Sequence, residues 1–142
     1  MKKMIFGLSL LLMCTVGCSS LAQRMAKGDA TAQREYECLP AVEQASVQQE
    51  LAEIAKTDSD SNVRSAAVAK LMDQNVLAEI AKTDSDWFVR RDAVTKLTDQ
   101  NVLAEIAKTN SEPNVRLTAV EKLTDQNVLA EIAKTESYWR AR

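Results

Sequence analysis

The sequence predicts an all-α protein built as a short solenoid of stacked helical hairpins. The segment LAEIAKT recurs every 26 residues, and a fixed period of this length is typical of stacked repeat arrays. Helix breakers are scarce, with three Gly and two Pro in 142 residues. Apolar residues within each period follow the spacing of an amphipathic helix rather than the alternation of a strand. The four copies of LAEIAKT start at Leu51, Leu77, Leu103 and Leu129.

The chain begins with a predicted lipoprotein signal peptide, residues 1–17. Two lysines precede an apolar run from Met4 to Met13, which fits a secretory signal and is shorter than the ~20 residues of a membrane-spanning helix. The segment that follows, Thr15-Val16-Gly17-Cys18, resembles the bacterial lipobox, although Thr15 stands where that motif usually has Leu. The resemblance implies cleavage before Cys18 and a covalent lipid on its thiol. The alternative is an ordinary cleaved signal with an incidental cysteine.

The residue after Cys18 and the charge balance bear on location and partners. Ser19 is not the aspartate that, in lipoproteins, favours the inner membrane, so the resemblance implies a periplasm-facing protein on the outer membrane. Removal of Lys2 and Lys3 leaves 16 of the 18 basic residues against 20 acidic ones, a net charge of −4. No basic stripe remains, so we expect neither nucleic-acid binding nor an electrostatic attraction to anionic lipids.

Two segments precede the regular repeats. Residues 18–34, rich in Ala, Gln and Ser, predict a lipidated tether. Residues 35–60 match the repeat only weakly and predict a degenerate N-terminal capping repeat. In that alignment Ala41 and Val42 fall on an Ala-Val pair of the first helix, and the second helix is expected near residues 46–57.

Residues 61–138 form three units of 26 residues. Units one and two share 18 residues and units two and three share 19. In the middle unit we expect one helix from about Trp87 to Leu97 and another from about Gln100 to Lys108, each with one apolar side. Two such short helices bury little surface alone, so stacking must join them into one core. Residues 139–142 begin a fourth unit and stop.

The segment from Asn114 to Leu123, NVRLTAVEKL, resembles the first helix of bacterial HEAT-like repeats. Families with units this short include phycobilisome-lyase-type repeats and the leucine-rich repeat variant. The resemblance covers about residues 46–138 and implies a right-handed α-solenoid, while it leaves the function open. The cysteine cluster that can hold an iron–sulfur centre in repeat-variant proteins is missing, so we expect no cofactor beyond the covalent lipid.

Two charged columns recur in register with the repeat. We expect them to form an Arg–Asp ladder between turns of adjacent units, as similar repeats tend to have, and the alternative is a charged row for a ligand. The Asp-Ser turns are better explained as helix caps than as a calcium loop, because the glycine and closing glutamate of that loop are missing, so no metal site is expected. The columns are Arg64, Arg90 and Arg116, and Asp73, Asp99 and Asp125.

Candidate partner-binding residues are of two kinds. Trp87, Phe88 and Trp139 are the aromatic side chains best suited to anchor a partner, although packing between turns would also explain them. A regular polar row on the second helices could bind a repetitive ligand or a partner helix, or could reflect recent duplication. That row contains Gln74, Gln100 and Gln126 with Glu79, Glu105 and Glu131.

Catalysis has no support in the sequence. There is no histidine, no nucleophile–base pair and no glycine-rich phosphate loop, so we expect no enzyme. The leading hypothesis is a membrane-anchored, non-catalytic scaffold that docks an unidentified envelope protein. The alternatives are a binder of an envelope polymer such as peptidoglycan or polysaccharide, a structural protein that self-assembles by homotypic stacking, and a truncated duplicate with little function.

Overall fold

A computed structural model describes residues 21–140, with side chains for residues 21–134, and the secondary structure of this part is helices joined by short turns, without strands. The predicted all-α class is therefore confirmed, while the predicted signal peptide and Cys18 lie outside the described residues. A helical stretch at residues 21–26 precedes eight longer helices. These are α1 (Ala30–Glu37), α2 (Ala41–Thr57), α3 (Ser61–Lys70), α4 (Gln74–Thr83), α5 (Trp87–Lys96), α6 (Gln100–Thr109), α7 (Pro113–Lys122) and α8 (Gln126–Arg140).

The start of the described chain corrects the predicted tether. Residues 21–26 and α1 are helical, and buried side chains recur along residues 21–26 with helical spacing. Gly28, at a φ of 81°, ends the first stretch, and the N–H groups of Gly28 and Asp29 bond to the carbonyls of Met25 and Arg24, the Schellman pattern of a helix end. A composition rich in Ala and Gln is compatible with either a linker or a helix. The helix forms here because its apolar stripe is buried against the rest of the unit. That stripe is Leu21, Ala22, Met25 and Ala26.

The predicted capping repeat is also different in the structure. Instead of two helices in residues 35–60, one helix, α2, runs unbroken from Ala41 to Thr57. Ala41 and Val42 lie in its exposed first turn rather than in a buried Ala-Val pair. Pro40 occupies the N-cap position, and no helix breaker follows it before Thr57, which accounts for the continuous helix. α2 packs against α3, with α1 beside it.

The chain divides into two compact units between Met72 and Asp73. In the second unit, α4 packs most closely against α5 and α6 against α7. These hairpins each combine the second helix of one predicted unit with the first helix of the next. Successive hairpins also contact each other, since α5 packs on α7, α4 on α6 and α6 on α8. Their shared core contains Leu77, Ile80, Val89, Val94, Leu97, Leu103, Ile106 and Val115.

Helix α8 lacks the turn that ends α4 and α6. Those helices have Asp84 and Asn110 as C-caps, whereas the equivalent position in α8 is Glu136 and the helix continues to Arg140. Asp and Asn favour turns and helix ends, and Glu is a better helix former. Residues 139 and 140, predicted to begin a fourth unit, therefore continue α8 instead of starting a new helix.

Candidate interaction surfaces

An arginine holds the turn of each helical hairpin. Its guanidinium Nη1 donates to the carbonyl six residues earlier, which belongs to the C-cap of the preceding helix and has no donor within that helix. Charged donors make stronger hydrogen bonds than neutral ones, and Arg64 is only 7% exposed. The bonds join Arg64 to Asp58 at 2.9 Å, Arg90 to Asp84 at 2.7 Å and Arg116 to Asn110 at 3.0 Å.

The aspartate column caps helices. Asp73 accepts hydrogen bonds from the backbone N–H of Asn75 at 2.8 Å and of Val76 at 3.3 Å. Asp99 and Asp125 make the same pair of bonds at the starts of α6 and α8. The structure thus gives the predicted Arg and Asp columns separate backbone partners and does not bring them together as a ladder. The short Asp side chain is satisfied by its own helix, while the long Arg side chain folds back along the chain.

A glutamine closes the end of each hairpin opposite the turn. Its amide nitrogen donates to the last carbonyl of the following helix, and its amide oxygen accepts from the backbone N–H two residues further on. We call this arrangement the glutamine clamp. The clamps join Gln48 to Lys70 (3.2 Å) and Met72 (3.0 Å), Gln74 to Lys96 (3.3 Å) and Thr98 (3.0 Å), and Gln100 to Lys122 (3.3 Å) and Thr124 (3.0 Å).

Because of the glutamine clamp, two glutamines of the predicted polar row are already engaged within their own hairpins. Gln74 and Gln100, predicted as candidate partner-binding residues, have their amides engaged with backbone groups of their own hairpin. Gln126, in the same column, begins α8 and is exposed. The sequence gives no local signal for the clamp, because its partners lie 22 and 24 residues away.

Two glutamates of the row, Glu105 and Glu131, form ion pairs between successive second helices. Lys82 Nζ lies 2.6 Å from Glu105 Oε2, and Lys108 Nζ lies 2.8 Å from Glu131 Oε2. These pairs join α4 to α6 and α6 to α8. Glu79 occupies the same column on α4 and is exposed. Each pair is solvent-accessible and contributes ~0–1 kcal/mol, so these pairs join neighbouring hairpins but stabilise them little.

Three side chains at the start of α5 form a compact exposed surface. The rings of Trp87 and Phe88 meet edge to face, with centroids 6.3 Å apart and an angle of 87°. The Arg91 guanidinium lies over the Trp87 ring at 5.4 Å, a cation–π contact. Arg91 Nη2 also lies 3.0 Å from Asp92 Oδ1. Trp87 remains 40% exposed, so the aromatic platform (Trp87, Phe88 and Arg91) is ordered yet accessible.

Leu117 extends the accessible apolar surface beyond the aromatic platform. It is 57% exposed and occupies on α7 the column that Arg91 occupies on α5. Because α5 and α7 pack side by side, this leucine belongs to the same outer face of the unit. Trp139, the third predicted aromatic anchor, lies in α8, but its side chain is outside the described residues.

The carboxyl groups of Asp29 and Glu50, in the first unit, have perturbed pKa values. Hydrogen bonds from the Thr31 hydroxyl, the Arg24 guanidinium and the Thr31 backbone N–H hold the pKa of Asp29 well below its ordinary value. Burial raises the pKa of the Glu50 carboxyl. Neither carboxyl belongs to the aromatic platform, and Asp29 acts as the N-cap of α1.

The described residues carry no grouping of another functional kind. Among residues 21–134, no three or more Cys, Asp or Glu side chains are grouped so that they could hold a metal ion. Within the described helices, none has both the length and the apolar character that crossing a membrane requires. No protein-family model, curated protein or solved structure matches this chain. The aromatic platform is therefore the best candidate for a partner-binding site.

Proposed function

We propose that this protein is a lipid-anchored, non-catalytic interaction module of the bacterial envelope that docks an envelope protein on the aromatic platform. The accessible Trp87 ring, in contact with both Phe88 and Arg91, is the observation that carries the proposal. Tryptophan and arginine are the residue types that dominate protein–protein binding energies. Because their contacts already exist in the free chain, little side-chain freedom remains to be lost on binding.

The fold that presents the platform is, in this proposal, a right-handed HEAT-like solenoid. The repeated packing of α5 on α7 and of α4 on α6 supports this assignment. The turn arginine and the glutamine clamp recur with the same 26-residue period from Gln48 to Arg116, which adds to its support. A solenoid places the first helices of successive repeats in one row, so the variable residues of α5 and α7 would share a docking face.

The anchor in this proposal is a diacylglycerol thioether on Cys18. The lipobox resemblance of residues 15–18 and the signal-like segment before it support lipid attachment in the periplasm. Ser19, in place of the aspartate that favours the inner membrane, supports the outer membrane. Stable attachment requires two or more acyl chains, which a diacylglycerol supplies. No cofactor is required for docking.

Polymer binding is the weaker alternative. It depended on a free, regular row of amide and carboxylate groups along the second helices. Gln74 and Gln100 are engaged in glutamine clamps, and Glu105 and Glu131 are paired with lysines. A polysaccharide or peptidoglycan strand would have to displace these contacts in order to bind there.

The docking proposal is tested by site-specific photo-cross-linking in cells. A photoreactive amino acid replaces Leu117, beside the platform, and in a matched strain replaces exposed Asn75 on α4. We expect one dominant envelope protein cross-linked from position 117 and not from position 75. Trp87→Ala should abolish that product, whereas Lys82→Ala should leave it unchanged.

The other outcomes separate the alternatives. Equal cross-linking from both positions, or a product that survives Trp87→Ala, would contradict docking on the platform. Products that contain only this chain would replace the docking proposal with self-assembly. The mass of the purified protein reports independently whether Cys18 carries a lipid, so loss of the anchor and loss of the docking site are distinguishable.

A further inference from the structure

Helix α2 is longer than its counterparts at its N-terminal end. It has 17 residues, whereas α4 and α6 have 10 each. Gln48 of α2 makes the clamp that Gln74 makes at the first residue of α4. The seven residues before Gln48 therefore extend beyond the repeated helix by about 10 Å, at about 1.5 Å per residue.

The exposed side chains of this extension are mostly apolar and carry no charge, apart from half-buried Glu43. Val42 is 83% exposed, more than any other large hydrophobic side chain in residues 21–134. Between Cys38 and Gln49 the sole charged residue is Glu43, which is half-buried. The C-terminal half of the same helix exposes Glu53 and Lys56 instead. We call the exposed apolar group the apolar overhang, and it contains Cys38, Pro40, Ala41, Val42 and Ala45.

The inner side of the overhang is firmly held. Gln44 donates to the backbone carbonyl of Tyr36 at 3.2 Å, and Gln48 donates to the Tyr36 hydroxyl at 3.2 Å. Tyr36 and Val47 are buried. The outward face of the overhang is thus presented by a fixed helix end rather than by a loose segment.

The overhang lies at the end of the unit where the chain arrives from Cys18. Only Ser19 and Ser20 separate Cys18 from Leu21, so the two Cα atoms are at most about 11 Å apart at about 3.6 Å per residue. Residues 21–26 and α1 are joined by three residues, a connection length typical of antiparallel helices. Arg24 Nη1 lies 2.8 Å from Glu35 Oε2 across this pair. The end of α1, and the overhang after it, therefore return towards Leu21.

We propose that the apolar overhang is a membrane-contact surface that lies on the lipid bilayer beside the acylated Cys18. This proposal depends on the lipid anchor of the proposed function. The attraction is apolar rather than electrostatic, because the charges around the overhang give no positive excess: three basic and four acidic residues occur between residues 21 and 49. With no tether between anchor and helix, the first unit is held directly against the membrane. The same contact is therefore expected on neutral and on anionic lipid.

The test measures how close Cys38 lies to lipid. Cys38 is the only thiol besides Cys18 in the predicted mature chain, so an environment-sensitive fluorophore labels it in the purified lipidated protein. The protein is reconstituted into phosphatidylcholine vesicles containing a lipid with a nitroxide near its headgroup. The matched control is Cys38→Ser with Ser59→Cys, because exposed Ser59 follows the other end of α2. That helix has 17 residues and is therefore about 25 Å long at about 1.5 Å per residue. We expect several-fold stronger quenching at position 38 than at position 59.

A charged substitution in the overhang tests whether its apolar side chains make the membrane contact. Val42→Asp places a charge on the bilayer side without disrupting the helix, because an acidic residue suits the first turn. We expect it to reduce the quenching at Cys38 severalfold with unchanged helical circular dichroism. Gln49→Asp, two turns further along α2, should leave the quenching unchanged. Replacing part of the phosphatidylcholine with phosphatidylglycerol should also leave it unchanged.

The readouts separate this proposal from the anchor on which it depends. A purified protein without the mass of the lipid would overturn the anchor itself. A lipidated protein with equal quenching at positions 38 and 59 would overturn the membrane-contact surface alone. Quenching that Val42→Asp does not reduce would also overturn it, since the overhang would then not make the contact.

Discussion

Glutamine and arginine close each hairpin by bonding to backbone atoms at the helix ends. Helix ends leave carbonyl groups without intrahelical donors, and a buried polar group without a partner destabilises the fold. The turn arginine supplies a donor at one end of the hairpin. The glutamine clamp supplies both a donor and an acceptor at the other, because one amide carries both.

Loss of a clamp should be measurable in an otherwise intact protein. Gln100→Ala removes the hydrogen bonds to the Lys122 carbonyl and the Thr124 N–H. We expect the free energy of unfolding to fall by about 1–2 kcal/mol, because each net hydrogen bond contributes about 0.5–1.5 kcal/mol. The control Asn101→Ala should change it by less than about 0.5 kcal/mol. Equal effects in urea denaturation would show that the clamp is not stabilising.

Asp29 makes the N-terminal helical pair sensitive to acid. Its pKa is lowered in the folded chain by Thr31 and Arg24, so its contribution to stability is fully present above the unfolded pKa of about 3.9. The contribution is lost as the pH falls below that value towards the lower folded pKa. The stabilities of the wild type and of Asp29→Asn should therefore differ most at pH 7, and the difference should shrink as the pH falls from about 4 towards 2. A difference that does not change with pH would contradict this assignment.

At the scale of elements, the repeats were easier to predict than the N-terminal region. In the middle unit, the predicted apolar sides of the two helices are buried except for half-buried Val102; the buried residues are Val89, Ala93, Val94, Leu97, Leu103, Ile106 and Ala107. Three copies of one pattern make such sides easy to recognise. Residues 21–57 have no second copy for comparison. Their helices depend on how residues 21–26, α1 and α2 pack together, which composition alone does not reveal. The glutamine clamp and the contact between Trp87 and Phe88 could not be predicted from the sequence either, because both depend on how atoms are placed in the folded chain.

The turn between residues 21–26 and α1 depends on a single glycine. Gly28 has a φ of 81°, and a Cβ added there would meet no atom within 4 Å. The penalty for Gly28→Ala is therefore one of backbone conformation alone, about 1–2 kcal/mol. Thermal unfolding should show this loss, whereas exposed Lys27→Ala should be nearly neutral. A Gly28→Ala protein as stable as wild type would exclude the left-handed turn.

At the scale of the whole molecule, the apolar core of the second unit is shared by successive hairpins. Leu103 is fully buried on α6, a helix that packs against α4, α7 and α8. Leu103→Asp places an unpaired charge there, so we expect it to destabilise the protein by more than about 4 kcal/mol and to abolish much of the helical circular dichroism. Lys82→Ala, which removes only an exposed ion pair, should retain the signal. Full helicity in Leu103→Asp would contradict the shared core.

The backbone-directed bonds of the hairpins have a consequence for how such a chain can evolve. A carbonyl or N–H group is the same whichever residue carries it, so a hairpin fastened through these groups tolerates almost any side chain at its partner's helix end. A newly duplicated hairpin can therefore form the arginine and glutamine hydrogen bonds with whatever residues its neighbours carry. Outward positions such as Trp87 and Leu117 are then free to diverge without disturbing the joints, and hybrid chains with shuffled hairpins should still assemble.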